Sequence, residues 1–490
     1  MTQATVPSST LVGVDAIDVE VQVDVSAGLP AFTIVGLGDT AVLEARDRVR
    51  AALRSSGFDF PNARVTVNLA PSPVRKHGTG FDLPIAVGVL AATGQVPRDV
   101  LAAVSVGELG LDGSVRSVPG MLAHAIAAPL RGLPLLASVD ALMAAQTVKE
   151  CVVHPLGSLG VLRQGLPPAS ARMAAAPPAD IPVPDFSEVH GQSLAKRALE
   201  IAAAGGLGLL LVGPPGSAKT MLARRLPSIL PPLDDAEVLT TAVVHSVAGL
   251  DLNGVLAGIR PFRAPHHTAT TAGLVGGGTP PRPGEASLAH NGVLFLDGLP
   301  EFSPEALQAL RQPLEDGYLT LVRAEGRVRY PASFALVVAM NPCPCGHLGD
   351  TERTCTCPPT LVERYVGRVG GPLMDRIDMT LRVGRTDTSR LLTGSVEERS
   401  AAVRARVIDA RGRTRKRGLP RDLSGAALLR GCGLDPAARA AVEQAARLHH
   451  LSGRGITRLL RVALAIADLA AADRVTREHV FEASGCRGNS

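Results

Sequence analysis

Four short stretches gather the residue types that handle phosphate and metal. Gly213–Thr220 reads GPPGSAKT, between an apolar run at Gly208–Val212 and a helical run at Met221–Leu226. Small residues let a backbone wrap a phosphate, with N–H groups pointing inward at a helix N-terminus. Gly213, Pro214, Pro215, Gly216, Ser217 and Ala218 would form that wrap. Lys219 would reach the β- and γ-phosphates and Thr220 would hold Mg²⁺. ATP and Mg²⁺ are therefore the expected ligands. The strict loop pattern has glycine where Ala218 stands, and a methyl is tolerable there if φ is negative. Gly292–Asp297 (GVLFLD) is an apolar strand pattern ending in Asp297, a second carboxylate for the Mg²⁺ side. Val337–Asn341 (VVAMN) ends in Asn341, well placed to orient a nucleophilic water. Directly after it, Cys343, Cys345, Cys355 and Cys357 form C-x-C-x₉-C-x-C. Four thiolates would close a tetrahedral Zn²⁺ site, structural in kind and with His347 as a substitute ligand, the alternative being four unliganded thiols. Pro344, Gly346, Pro358 and Pro359 put this cluster in loops. Cys151, Cys432 and Cys486 stand alone.

These stretches need a scaffold. The chain has 490 residues, too many for one ordinary domain. At 46% hydrophobic and 19% charged residues it has the material for sizeable cores. A net charge of +5 is too mild to argue for nucleic acid by itself, and 3% aromatics without Trp disfavours a base-stacking platform. No apolar run reaches the ~18 residues of a membrane span. The first residues lack the basic and apolar regions of a signal peptide, so a cytoplasmic location is expected. In a reducing compartment, clustered cysteines point to metal or catalysis and not to disulfides.

Residues 11–170 alternate strand and helix patterns: strands at Ile17–Val25, Arg64–Leu69 and Val104–Leu109, helices at Ala41–Ser55 and Leu83–Ala92. Residues 173–185 (MAAAPPADIPVPD) carry no hydrophobic period and read as a linker. From the helix Gln192–Ala204 to about residue 385, strands and helices alternate again, implying a mostly parallel, helix-covered sheet. After Ser395 only helices are expected: Glu397–Arg417, Ser424–Arg430, Pro436–His449, Gly455–Ala471 and Thr476–Ser484. The fold class is α/β, divided as 1–172, a linker 173–186, a core 187–394 and a helical lid 395–490. No internal repeat is visible.

VHGQSLAKRALEIAAAGG, GPPGSAKT, FRAPHHTAT, LVGGGTPPRPGEASLAHNGVLFLD, MNPCPCG and GPLMDRID together resemble the magnesium-chelatase-like AAA+ ATPases, and among them the YifB/ComM family, over nearly the whole chain. The resemblance implies a P-loop AAA+ core with a C-terminal helical lid. Asn341 then corresponds to sensor 1, and Arg376 in LMDRID to the arginine finger that reaches a neighbouring subunit's γ-phosphate. Arg454 in LSGRGITRLLRVA corresponds to the sensor 2 arginine, with Arg458 as the alternative. A finger acting in trans implies a ring, and the family implies a hexamer. One departure matters: the family has Glu after the Asp at 297, and here Gly298 follows. Glycine cannot act as a base, and losing one typically costs roughly 10²–10⁴ in rate. Glu301 is the nearest carboxylate in the sequence.

Residues 11–170 resemble the Lon-protease-like α+β domain of this family. Gly80 in KHGTGFD stands at the nucleophile position and Leu122 in VPGMLAH at the Lys position. Both catalytic groups of the serine–lysine pair are missing. Arg75, Lys76 and His77 read as a solvated basic loop. For DNA, the candidates are two basic stretches. The insert Arg260–Arg282 holds Arg260, Arg263, His266, His267 and Arg282 with no acid, and resembles the family's pore-directed loop. Arg404, Arg406, Arg411, Arg413, Arg415, Lys416, Arg417 and Arg421 cluster against Asp409. The resemblance implies a DNA motor on branched or single-stranded DNA, with branch migration in recombination or natural transformation as its task. The alternatives are an ATP-gated scaffold that turns over slowly because of Gly298, or a magnesium-chelatase motor subunit.

Overall fold

The computed structural model describes residues 3–171, 182–323, 326–350, 352–369, 371–385, 397–418 and 425–487. Most of the expected linker, the border at 394/395 and Arg421 lie outside these residues.

The phosphate-loop stretch sits in a five-stranded parallel sheet. Its order is Phe262–Arg263, Val293–Asp297, Ala335–Met340, Leu209–Val212 and Met379–Arg382. The strands are continuously apolar because helices cover both faces. Side chains alternate between two cores, as a period of two requires. Leu209, Leu211, Val293, Phe295, Val337 and Ala339 enter one, which continues into the C-terminal helices through Val462, Ala463 and Ile466. Leu210, Leu294, Leu296, Leu336, Val338 and Met340 enter the other, roofed by Leu299, Phe302 and Leu307. Truncating any of these leucines to alanine costs about 2–5 kcal/mol. All three motif strands therefore end at one edge: the Gly213 N–H donates to the Met340 carbonyl at 3.2 Å, and the Gly298 N–H to Ala339 at 3.0 Å.

The C-terminal region is helical: Ser400–Lys416, Gly425–Cys432, Pro436–Leu448, Gly453–Leu469 and Arg477–Gly485. Gly453–Leu469 lies at its centre, against Ser193–Gly205, Ser400–Lys416 and Arg477–Gly485. Among the described residues, no helix is long and apolar enough to cross a membrane.

The N-terminal region is α+β. Its four-stranded sheet runs Gln3–Val12, Asp15–Ser26, Arg64–Ala70 and Ala31–Val35, backed by helices Thr40–Ser55 and Asp82–Ala92. The strand expected at Val104–Leu109 is two short ones, Val104–Ser105 and Glu108–Leu109. The region is welded to the core. Met121, Leu122 and Ala125 share one apolar cluster with Ala242, Val243 and Val255, and the Gly120 N–H donates to the Ser246 carbonyl at 2.8 Å. Lys76 corrects the reading of a solvated basic loop. Its side chain is buried and its ammonium donates to the Pro71 carbonyl, and burial pulls its pKa down. Gly80 faces Val106 and Val118, and Leu122 is fully buried.

Candidate active site

At the C-terminal edge of the sheet, the loop after Leu209–Val212 leads into the helix Lys219–Ile229. The Lys219 ammonium folds back on the loop, donating to the carbonyls of Gly213 at 2.7 Å and Pro214 at 3.0 Å. It also lies 3.3 Å from Asn341 Oδ1 and 3.4 Å from Ser217 Oγ. Burial lowers its pKa, against the pull of the Asp297 charge. The Thr220 hydroxyl donates to the Asp297 carboxylate at 2.7 Å. Lys219, Thr220, Asp297 and Asn341 are thus gathered from three strand ends, with Pro215, Gly216 and Ser217 in the loop beside them. Two adjacent oxygens on Thr220 and Asp297 are the hard donors that Mg²⁺ takes.

Ala218 departs from its expectation. Its φ is +63°, in the left-handed region, not negative. The loop must turn its backbone there to aim N–H groups inward, so the methyl is carried at a steric cost of about 1–2 kcal/mol.

The cysteine loop lies directly on the phosphate loop. A side chain at Gly346 would strike Pro215 at 2.6 Å. The four Sγ atoms of Cys343, Cys345, Cys355 and Cys357 fall within 4.8 Å of one another. Cys343 is 3.4 Å from Cys345 and both are 3.6 Å from Cys355. A zinc tetrahedron with Zn–S of ~2.3 Å needs edges of about 3.8 Å, so the arrangement fits the ion. Backbone N–H groups of His347 and Thr356 pull the Cys345 thiol down to about 5. The ligand atoms that gather here are the four Sγ atoms, without His347; the His347 Nδ1 pairs with Asp350 at 3.0 Å, and Asp350 also takes Arg385 at 3.2 Å. Burial pushes Cys432 up to about 12 and Cys151 to about 11, which leaves both inert.

Arg376 and Arg454 are not brought to this edge. They border a cavity of about 440 Å³ with Arg458, Arg461, Glu315 and Asp375, at the opposite end of the same strand, beside Gly208. Arg376 pairs with Glu315, and Arg454 with Asp375 at 3.4 Å. Asp378 accepts from the Gly208 N–H at 2.9 Å and from Arg461 at 3.2 Å. The four strand residues Leu209–Val212 separate Gly208 from Gly213, five steps of about 3.3 Å or about 16 Å in all. Arg458 is held by the carbonyls of Met374 and Ile377, both at 3.0 Å, whereas the Arg454 side chain is 79% exposed. Arg454 is the one free to reach outward.

The basic stretches are largely disarmed from within. Arg260 is buried, donating to the Asn291 carbonyl and to Glu237, both at 2.7 Å. Arg263 makes a two-pronged pair with Glu285 at 2.6 and 2.7 Å. In the insert, Arg282 and His266 remain exposed. On Ser400–Lys416, Arg406 pairs with Glu200 and Glu398, and Arg411 donates to the Ala203 carbonyl, while just past the helix end Arg417 pairs with Asp468. Arg415 and Lys416 are exposed. The partner acids lie outside the basic stretches, from 8 to 206 residues away, and no local period links them to their arginines.

A family model described as magnesium chelatase, subunit ChlI, matches residues 185–391. A second, for subunit ChlI of Mg-chelatase, matches 21–134, and a third, for its C-terminal part, 397–487. The chain is 42% identical to the uncharacterized protein YifB of Salmonella typhimurium, over 99% of this chain and 97% of that one. It is 41% identical to the competence protein ComM of Haemophilus influenzae, over 99% and 98%. The uncharacterized protein Rv2897c of Mycobacterium tuberculosis is 41% identical over 97% of each. The chain belongs to the magnesium-chelatase-like YifB/ComM family. The parallel sheet, the motif strands ending at one edge and the helical C-terminal region agree with the AAA+ core of that family. The likeness to YifB and ComM covers the N-terminal region as well, since both alignments span 99% of this chain.

Proposed function

We propose that this chain is an Mg²⁺-dependent ATP hydrolase that works as a hexameric ring on branched or single-stranded DNA, driving branch migration in recombination or natural transformation. One observation carries the reading. The phosphate-binding set and the arginines Arg376 and Arg454 lie at opposite ends of one strand, whose own span is about 16 Å. Within one subunit they cannot meet on one nucleotide. In a ring, each arginine end faces the next subunit's phosphate end, and the site is completed in trans. The units would be 1–172, 187–394 and 395–490.

In that ring Lys219 holds the β- and γ-phosphates, Thr220 and Asp297 hold Mg²⁺, and Asn341 orients the attacking water. Arg376 of one subunit neutralises charge that develops on its neighbour's γ-phosphate, and Arg454 reports the same event to the lid. The bound metal would spread the phosphate charge. Cys343, Cys345, Cys355 and Cys357 would hold a structural Zn²⁺ that pins Gly346 on Pro215. Arg282, His266, Arg415 and Lys416 would grip DNA backbone without reading sequence, with salt-dependent affinity. The ComM relative's name, competence protein, is consistent with a task in DNA uptake.

The test is ATP hydrolysis with and without four-way-junction DNA, beside sedimentation in the presence of ATP. DNA-stimulated turnover by a six-subunit species supports the reading; an ATP-loaded monomer indifferent to DNA sinks it. A second reading is favoured by Gly298: an ATP-gated scaffold. It predicts assembly on ATP without useful turnover.

A further inference from the structure

The turn after Asp297 holds a carboxylate that the residue at 298 does not supply. Gly298 has φ +72°, a conformation that costs any other residue about 1–3 kcal/mol. A Cβ built on it would lie 3.2 Å from Cδ and Oε2 of Glu301 and 3.5 Å from Oε1. The space into which a side chain at 298 would grow is thus already occupied by the Glu301 carboxylate. The turn itself holds it there. The Glu301 N–H donates to the Gly298 carbonyl at 2.8 Å, which closes one tight turn, Leu299–Glu301, on the buried Leu299 and Pro300.

The Glu301 side chain is about half exposed, and its ion-pair partner among the described residues is the His267 imidazole, Nδ1 at 3.5 Å. Elsewhere in the fold Glu285 is engaged by Arg263 and Glu315 by Arg376. A half-exposed carboxylate, one turn from Asp297 and with a single imidazole beside it, is spare for chemistry.

We propose that Glu301 is the base for the attacking water, in place of the missing side chain at 298, and that His267 is its positioning residue. This rests on the ATP hydrolase reading. The water oxygen bonds to the γ-phosphorus as the bond from that phosphorus to the ADP oxygen breaks. The water's proton passes to the Glu301 carboxylate and from there to solvent, giving ADP, phosphate and one proton. His267 keeps the carboxylate turned toward the Asp297 edge. Because His267 belongs to the insert that also carries Arg282, the base is held from a segment outside the phosphate-loop strands.

The experiment uses the full chain. Hydrolysis is followed in single turnover, and affinity for a fluorescent ATP analogue is measured separately, for wild type, Glu301→Gln, Glu301→Asp, His267→Ala, His267→Gln and Lys219→Ala. Glu301→Gln is expected to slow hydrolysis by roughly 10²–10⁴ while nucleotide affinity stays within a few-fold. Glu301→Asp should fall between the two. His267→Ala should lower kcat by less than Glu301→Gln with KM unchanged, and His267→Gln should restore part of it. Hydrolysis by Glu301→Gln within a few-fold of wild type overturns the proposal and leaves the hydrolase reading intact. Wild type that binds ATP through Lys219 but hydrolyses no faster than Lys219→Ala overturns it in favour of the scaffold. Wild type that shows no Lys219-dependent ATP binding removes the hydrolase reading and this inference together.

Discussion

The two ends of the strand Leu209–Val212 are built differently. At the phosphate end, the polar groups bond to one another: Lys219 to Gly213, Pro214 and Asn341, and Thr220 to Asp297. The end is assembled without a ligand, and the exchange left for binding is at Lys219, whose ammonium trades the Gly213 and Pro214 carbonyls for phosphate oxygens. At the other end, arginines rest on acids of their own subunit, Arg376 on Glu315 and Arg454 on Asp375. Arg376 and Arg454 are side-chain exposed by 38% and 79%, where ion pairs are worth about 0–1 kcal/mol. They are cheap to give up for a neighbour's phosphate. One end is fixed by bonds within itself, and the other is held by exposed ion pairs.

The sharpest way to break this comparison is Arg376→Ala. If the arginine end acts on a neighbour, hydrolysis should fall by about 10³–10⁵ while ATP affinity of the isolated chain is unchanged. Mixing Arg376→Ala with Lys219→Ala subunits should restore part of the activity, because some interfaces then pair an intact loop with an intact arginine. No recovery on mixing, together with loss of ATP binding in Arg376→Ala alone, would place both ends on one nucleotide and end the comparison.

A smaller effect should come from the cysteine loop, which braces the phosphate end only. Cys355→Ser, or removal of metal by a strong chelator, should weaken ATP affinity by roughly tenfold, about 1.4 kcal/mol. The route is the contact of Gly346 with Pro215. Arg376-dependent steps should be spared, so the defect should vanish at saturating ATP. A metal-free chain with unchanged ATP affinity would show that the loop is a neighbour of the site and not its brace. Metal content by mass spectrometry, with Co²⁺ absorption as a check of tetrahedral thiolate ligation, separates that outcome from a loop that binds no metal.

How much of this was legible follows the range of the interactions. LLLV, VLFLD and ALVVAM read as buried parallel strands because apolar residues on both faces leave no other home. The lid helices read well because their apolar stripes and caps are local, as with Asp435 capping Pro436–Leu448 and Ser452 capping Gly453–Leu469. The first strand, Gln3–Val12, did not, because Ser8, Ser9 and Thr10 interrupt the alternation and are buried. Their partners, the Ser105 carbonyl for Ser8 and His124 for Ser9, lie roughly a hundred residues away. The hairpin Tyr318–Arg323 and Gly326–Pro331 was hidden by its arginines. In the site, contiguous sets were visible: the phosphate loop, Asp297, Asn341 and the four cysteines. Acids that neutralise Arg260, Arg263, Arg376 and Arg406 were not, since pairing across the fold has no local period.

The smallest effect concerns the fixed end itself. Ala218 stands at φ +63° and ψ +17°, in the left-handed well. Its methyl costs about 1–2 kcal/mol there relative to glycine. Glycine in turn gives the unfolded chain more freedom, which removes about 0.5–1 kcal/mol of that benefit. Ala218→Gly should therefore stabilise the chain by about 0.7 kcal/mol, within a span of about 0–1.5 kcal/mol, read as a higher denaturant midpoint with an unchanged slope. The same exchange at Ala223, buried within the helix Lys219–Ile229, has no left-handed strain to relieve and should destabilise. If Ala218→Gly behaves like Ala223→Gly, residue 218 is helical and the loop is not wound as a phosphate wrap. If the two differ in sign, the phosphate end stores its strain at the one residue where this loop departs from glycine.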